Sequence, residues 1–308
     1  MARNVAALAR ASRTLGQVRS GDRRFVLAGL IPASALIAAL ILLPLGFAFY
    51  TSWFAWNLKA SPRPEVFVGL SNFVRVFTDG PSREVLTNTT VLVATSIVAS
   101  TVLGLAAALL LSQEFPGRGI VRTSLLLPWA IPGIAAGTMW WWLYSARYGV
   151  LNHVLQTVGV IAQPVNWLID YPMFSVIMAN IWKEMPFSAL LFLAALQGIP
   201  AEIYEAAMVD GANVAQRFLF ITMPLLKNIT VVILIFQSAA ALKMFDLIFT
   251  MTLGGPAGAT TTLSYWAYVT SFRYWDFGFG SAIAFVTAGL VVVLSGVYLG
   301  LLYRQTEV

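Results

Sequence analysis

Long apolar runs separated by short polar connections dominate this chain. An α-helix needs about 20 apolar residues to cross the hydrocarbon of a membrane, and none of the runs alternates as barrel strands do. The pattern therefore predicts an all-α membrane protein with six transmembrane helices. The predicted spans are Phe25–Tyr50, Thr90–Leu111, Leu125–Leu143, Met173–Leu196, Ile229–Met251 and Gly278–Leu302.

Composition supports a membrane protein and narrows the chemistry. Of the 308 residues, 59% are hydrophobic and 10% are charged, whereas a soluble domain carries about 25% charge. The chain has no cysteine, and His153 is its single histidine. Disulfides, thiolate nucleophiles and Cys- or His-based metal sites are excluded. With no paired catalytic carboxylates either, we expect a chain that is not an enzyme and binds no metal.

The basic residues predict the orientation. If the N terminus is cytoplasmic, 11 Lys and Arg residues lie on the cytoplasmic side and 6 on the other, which favours both termini inside. We expect residues 1–24 to be a basic cytoplasmic tail before an uncleaved first span. The net charge of +6 follows this topology and forms no patch, so we expect no nucleic-acid partner.

Several features organise the predicted bundle. Pro128 and Pro132 remove backbone donors and should kink the third span. Gly104 and Ala108 have a spacing that lets helices approach closely. Two long outer connections, about 51–88 and 144–172, carry turn residues. Three tryptophans at 140–142 are typical of an interfacial aromatic belt, although stacking on a sugar stays open.

The connection between the fourth and fifth spans, about residues 197–228, is the most informative. Pro200 suits a first helical turn, Glu202 and Glu205 place acid near the helix start, and Gly211 suits a left-handed terminator. These signals predict a helix over Ala201–Asp210, which is too short to be stable alone in water. It either docks on a partner or is an ordinary capped connector. Small residues at 206 and 207 favour close approach of a partner.

This connection resembles the EAA loop of ABC-importer permeases. The family pattern is E-A-A-x3-G-x9-I-x-L-P, and the chain has Glu205, Ala206, Ala207, Gly211, Ile221, Met223 and Pro224, so Met223 replaces leucine. Residues 181–212 and 243–263 resemble the MalF-type subunit of the carbohydrate-uptake branch. The resemblance covers roughly 25–304, leaving tails at 1–24 and 305–308. It implies a type I importer permease with six spans in a bacterial or archaeal cell membrane.

The resemblance also implies partners. No G-x-x-x-x-G-K-[ST] phosphate loop is present, so ATP and Mg²⁺ would be bound by two separate ATPase subunits. A second, MalG-like permease subunit and an extracytoplasmic solute-binding protein would complete the importer. The helix at 201–210 would couple ATPase motion to the bilayer-embedded bundle. The residues expected to couple are Glu202, Glu205, Ala206, Ala207, Asp210, Gly211 and Pro224.

Polar residues within the fourth and fifth predicted spans are candidates for the translocation pathway, with Lys243 and Asp246 nearer the outer surface than Lys183 and Glu184. We expect Lys183 and Glu184 to have separate partners, because neighbouring residues on a helix point about 100° apart. Lys243 and Asp246, three residues apart, should share one face of the fifth span. The alternative, that polar groups only hold helices together, stays open. The candidates are Asn180, Lys183, Glu184, Gln237, Ser238, Lys243 and Asp246.

Three further points stay open from the sequence. Gly254, Gly255 and Pro256 are either a contact for the binding protein or an ordinary turn. An ATP-independent carrier or channel also explains six spans with buried charges, but it leaves the pattern from Glu205 to Pro224 unexplained. The sugar or polyol phosphate carried is not determined by the sequence.

Overall fold

The computed structural model describes residues 29–32 and 34–303. The predicted tails at 1–24 and 305–308, and the first residues of the predicted first span, lie outside them. The chain divides at Thr51 into two compact units. In the first unit, helix α1 spans Gly29–Thr51 and includes a π turn at Ala38–Leu42.

The second unit begins at Ser52 with a small antiparallel hairpin, β1 (Phe54–Ala55) paired with β2 (Val66–Phe67). Every later regular element that the structure describes is helical. The helices are α2 (Ser71–Thr78), α3 (Ser82–Ser112), α4 (Arg118–Ala130), α5 (Gly133–Leu143), α6 (Val150–Thr157), α7 (Trp167–Asp170), α8 (Pro172–Gln197), α9 (Ala201–Val209), α10 (Val214–Arg217), α11 (Met223–Leu242), α12 (Asp246–Met251), α13 (Leu263–Tyr268) and α14 (Phe277–Tyr303).

Five helices in the described residues are long and apolar enough to cross a membrane, and a sixth is counted if the bent pair α4 and α5 forms one span. That pair bends by 100° at its break. The predicted kink is confirmed, and it falls at Ile131. A residue before proline avoids helical backbone, and Ile131 is extended before Pro132.

Two predicted boundaries were wrong. Helix α3 begins at Ser82 rather than Thr90, because the polar residues before Thr90 continue the helix at its outer end. Helix α4 likewise begins at Arg118, before the apolar run at Leu125. Hydrophobicity marks the part of a helix that suits lipid, and helices extend beyond that part into polar surroundings.

The core of the second unit forms around α3 and α8. A Cβ added at Gly104 would lie 2.6 Å from Ser188 Cβ, so the glycine allows close contact between these helices. Ala108 is fully buried in a cluster with Phe192 and Leu226. The close packing predicted from Gly104 and Ala108 is confirmed. It places the polar side chains of α8 beside α11.

Candidate functional site

The connection after α8 forms a short helix and a turn. Helix α9 has Pro200 at its N-cap and Glu202 in its first turn, where a carboxylate interacts favourably with the helix dipole. The helix is followed by Asp210 as its C-cap and by Gly211, whose φ is +81°. The predicted helix and its left-handed glycine are confirmed, with the boundary shifted by one residue. A larger residue at Gly211 would be strained.

The side chains of α9 are mostly exposed. Only Tyr204 and Ala207 are half-buried, and Ala207 therefore differs from its neighbour Ala206, which is exposed. The outward surface combines acidic and apolar side chains that no described part of the chain covers. The exposed residues are Ala201, Glu202, Ile203, Glu205, Ala206, Met208 and Val209.

A capping box begins the helix that follows. The Gln216 backbone N–H donates to the Asn213 side chain, and the Asn213 N–H donates to Gln216 Oε1 at 2.8 Å. The helix runs through a π turn at Phe218–Thr222 directly into α11. The apolar run predicted as the fifth span, from Ile229, thus lies inside a helix that begins well before Pro224. Proline has no N–H and its ring crowds the carbonyl four residues earlier, and the widened turn accommodates both effects.

A polar cavity of about 220 Å³ lies where α5, α8, α11 and α12 meet. It brings together five of the seven predicted pathway residues and balances two cations against two carboxylates. Gly133 and Phe245 complete part of its wall. The five predicted residues that line it are Asn180, Lys183, Glu184, Lys243 and Asp246.

Lys183 and Glu184 form an ion pair in this cavity. Lys183 Nζ lies 3.5 Å from Glu184 Oε1, and each side chain is 17% exposed. The expectation that each would have its own partner was wrong. The 100° between neighbours applies to their Cβ atoms, whereas the long flexible stems of lysine and glutamate let the charged ends converge. Pairing also removes the cost of a lone charge at membrane depth.

Lys243 and Asp246 do not share one face of a continuous helix. Helix α11 ends at Leu242, and α12 begins at Asp246. Between them the Met244 N–H donates to the Ala241 carbonyl, which is a tightened bond three residues back. The prediction from their spacing was wrong. The two side chains still line the same cavity, because the break turns Asp246 toward it.

The remaining polar candidates differ in whether they have partners. Asn180 is 3% exposed and lines the cavity, and its Nδ2 has no hydrogen-bond partner. Gln237 is equally buried but donates to Ser188 Oγ at 2.7 Å and to the Glu184 carbonyl. Ser238 donates to the Leu234 carbonyl and contacts Tyr298 Oη at 3.2 Å. Gln237 and Ser238 thus join helices, whereas Asn180 lines the cavity and has a buried Nδ2 donor without a partner.

Close contact between α5 and α12 forms the cavity wall. A Cβ added at Gly133 would overlap the Asp246 carboxylate, and one at Gly137 would overlap Thr250 Oγ1. The glycines therefore let the two short helices touch. This contact was not predicted, although Gly133 and Gly137 have the same spacing of small residues as Gly104 and Ala108.

The segment Gly254–Pro256 lies in a compact turn after α12. Asn88 Nδ2 on α3 donates to the carbonyls of Gly258 and Thr261, which fixes the end of this turn. Gly254 has φ +82° and approaches Tyr265 so closely that a Cβ would lie 2.6 Å from the ring. Burial raises the pKa of the Tyr265 phenol, although Arg273 lowers it in part. The turn is well positioned, and whether it contacts a binding protein stays a prediction.

The other outer connection is also anchored by aromatic residues. Tyr144 Oη donates to the Ser175 carbonyl at 3.2 Å, and burial raises the pKa of this phenol. Trp140 packs edge-on against Trp182, whereas Trp141 and Trp142 are exposed.

Within the described residues, no group of three or more His, Cys, Asp or Glu side chains could hold a metal ion.

A bundle of apolar spans around a polar cavity, with an exposed helix on one connection, defines this protein as a membrane permease. The chain belongs to the family of binding-protein-dependent transport system inner membrane components, which it matches over residues 100–306. It is therefore a permease subunit of such a transport system.

Curated relatives match nearly the whole chain. The trehalose/maltose transport system permease protein MalF of Thermococcus litoralis is 40% identical over 277 residues, covering 88% of this chain and 90% of the relative. The sulfoquinovosyl glycerol transport system permease protein SmoG of Agrobacterium fabrum is 38% identical, covering 91% and 90%. These relatives are permease proteins of sugar transport systems.

A solved structure shares the fold. A chain of a bacterial ABC transporter involved in the import of the acidic polysaccharide alginate matches with a TM-score of 0.77. The match covers 92% of this chain and 96% of the other at 23% identity. It shows that this chain has the fold of an ABC importer permease.

Proposed function

We propose that this chain forms half of the translocation pathway of an ATP-driven, binding-protein-dependent carbohydrate importer. The observation on which this rests is α9, a short helix with an exposed acidic and apolar surface, placed where the chain resembles the coupling loop of importer permeases. A nine-residue helix is too short to persist alone, so a partner that covers it explains its presence. That partner is one of two ATPase subunits, which bind ATP and Mg²⁺.

The remaining partners follow from the family. A homologous, MalG-like permease supplies the second half of the pathway, and an extracytoplasmic solute-binding protein delivers the solute, with Gly254–Pro256 as its candidate contact. A related solved structure is described as a complex with an alginate pentasaccharide-bound periplasmic protein. Both termini lie in the cytoplasm of a bacterial or archaeal cell, with the permease domain over about 25–304.

The polar cavity supports a carbohydrate as the solute. Its balanced charges offer hydrogen-bond donors from Lys183, Lys243 and Asn180 and acceptors from Glu184 and Asp246, which suits the hydroxyl groups of a sugar. The names of the relatives include trehalose, maltose and sulfoquinovosyl glycerol. A thermal-shift screen of the cognate binding protein against sugars identifies the solute for transport assays.

Substitutions in α9 and its terminator test the coupling role. Glu205→Lys reverses the charge on the docking surface, and Gly211→Val forces a branched residue into left-handed backbone at a cost of about 1–2 kcal/mol. Both should abolish uptake and solute-stimulated ATP hydrolysis in reconstituted complexes. Gly211→Asn is the matched control, because asparagine tolerates this backbone and no atom lies within 4 Å of the added Cβ.

Normal uptake in both Glu205→Lys and Gly211→Val would exclude the coupling role of α9. Purification of the chain from its native membrane distinguishes an importer subunit from an ATP-independent carrier or channel. A dedicated ATPase should co-purify with an importer subunit, whereas an ATP-independent carrier or channel would purify without one.

A further inference from the structure

We propose that the hydroxyl of Tyr204 is the positioning contact that ties α9 to the fifth span and passes the movement of α9 to the polar cavity. The inference rests on the proposed coupling role of α9. Tyr204 touches no solute and no nucleotide in this scheme. Its role is to transmit a displacement.

The contact joins α9 to the π turn that precedes α11. Tyr204 Oη lies 3.0 Å from Thr222 Oγ1, and Thr222 is 4% exposed. Thr222 Oγ1 also donates to the Arg217 carbonyl at 3.4 Å. The distance between the two hydroxyls fits either one as the donor, and Tyr204 donates when the threonine proton is on the Arg217 carbonyl. The two hydroxyls form a chain that ends on the backbone of the fifth span.

Little else holds α9 against the rest of the chain. None of its residues is buried, and among the described residues no other side chain of α9 makes a hydrogen bond to another element. A cavity of about 570 Å³ lies beside it, lined by Leu109, Leu196, Tyr204, Arg217 and Phe218 among others. The helix therefore has space to move, and besides the covalent connection at residues 210–213 one described side-chain hydrogen bond links it to the helix that leads into α11.

The fifth span connects this contact to the polar cavity. Helix α11 runs without interruption from the π turn to Leu242, and Ala240, Lys243 and Asp246 line the cavity. A helix transmits an axial or tilting movement along its length as a rigid element. A displacement of Thr222 by Tyr204 should therefore change the surroundings of Ala240.

The absence of native cysteine makes this measurable with one engineered thiol. Ala240→Cys places the thiol in the cavity wall, and its rate of alkylation by a small water-soluble maleimide reports access to the cavity. The chain is studied in its complete complex in proteoliposomes, without nucleotide and with ATP plus vanadate. The measured quantity is the ratio of the two alkylation rates.

In this background, Tyr204→Phe and Thr222→Val should each reduce the nucleotide-dependent ratio by about 2- to 10-fold, the range expected for losing one hydrogen bond. Thr222→Ser keeps the hydroxyl and should keep the ratio. The two losses should not add, because both break the same bond. Thr222→Val reports on the contact if Tyr204→Phe fails to assemble.

Two controls remove comparable hydroxyls elsewhere. Thr230→Val removes a bond within α11 itself, and Tyr144→Phe removes a tyrosine bond to the Ser175 carbonyl. Both should leave the ratio unchanged. A parental ratio preserved in both Tyr204→Phe and Thr222→Val would overturn the inference while leaving the coupling role intact. A parental ratio of one in the assembled complex would overturn the coupling role and the inference together.

Discussion

The elements beside the two ends of the fifth span are held in opposite ways. Near α9, a single hydroxyl contact from Tyr204 and a neighbouring cavity of about 570 Å³ leave room for displacement. At the polar cavity, the span breaks after Leu242, and α12 is pressed against α5 with no space for a Cβ at Gly137. The helix beside one end, α9, is loosely held and exposed, whereas the other end is tightly packed and charged.

The difference shows how one span can serve both a partner and a pathway. An element that moves should have few contacts that must break during the movement, whereas the wall of a solute pathway needs a fixed geometry. Substitutions near the cavity should therefore lower the stability of the complex. Substitutions on the exposed surface of α9 should change coupling while leaving stability unchanged.

The largest effect is expected from the ion pair. Lys183→Met leaves Glu184 without its partner at membrane depth, and Glu184→Gln leaves Lys183 likewise, at a cost of about 2.5–3.5 kcal/mol each. The double variant removes both charges and should recover most of the lost stability, because no unpaired charge remains. The melting temperature of the purified complex is the measurement.

Glu114→Gln is the matched control, and it should leave the melting temperature nearly unchanged, because Glu114 is exposed and forms only an exposed ion pair with Arg118. If the double variant is as unstable as the two single variants combined, the pairing of Lys183 with Glu184 does not contribute to stability. The cavity end of the span would then be held by packing and not by the ion pair.

A smaller effect is expected from the glycine contact. Gly137→Ala forces α5 away from Thr250 and should destabilise the complex by about 1–3 kcal/mol through overpacking. Gly289→Ala on α14 meets no atom within 4 Å and should be neutral or slightly stabilising. Thermal unfolding of both variants in the same lipid compares them directly, and equal stability would show that α5 and α12 can separate without cost.

The two ends of the span also differ in how well the sequence predicts them. Helix α9 follows from Pro200, Glu202 and Gly211, because caps and left-handed glycines act locally and leave a local signal. The bend before Pro132 was predictable for the same reason. The break after Leu242 contains neither glycine nor proline, so only tertiary packing against α5 determines it.

The cavity shows the same limit. Five of its residues were identified as polar groups at membrane depth, since a charge in an apolar run is costly wherever it points. Their pairing was not predicted, because the 3.5 Å contact between Lys183 and Glu184 depends on side-chain conformations that sequence spacing does not specify. Gln237 and Asn180 looked equivalent in the sequence, and only the structure shows that Gln237 has partners on α8.

The smallest effect on stability is expected from substitutions of these two amides, Gln237 and Asn180. Gln237→Leu removes two hydrogen bonds between α11 and α8, leaves Ser188 Oγ without its donor, and should cost about 1 kcal/mol. Asn180→Leu removes an amide whose Nδ2 has no partner, and should leave the melting temperature unchanged or slightly raised. Uptake of the sugar identified by the binding-protein screen should follow the opposite order.

Asn180→Leu should lower that uptake by more than Gln237→Leu, because Asn180 lines the cavity with an unpaired amide, whereas the Gln237 amide is bonded to α8. Comparing uptake per assembled complex removes any difference in yield between the two variants. Normal uptake with Asn180→Leu would assign this amide to helix packing, and the cavity would then contact the solute through its charged residues alone. A loss of uptake with no loss of stability would place the contact with the solute on α8, opposite the break in the fifth span.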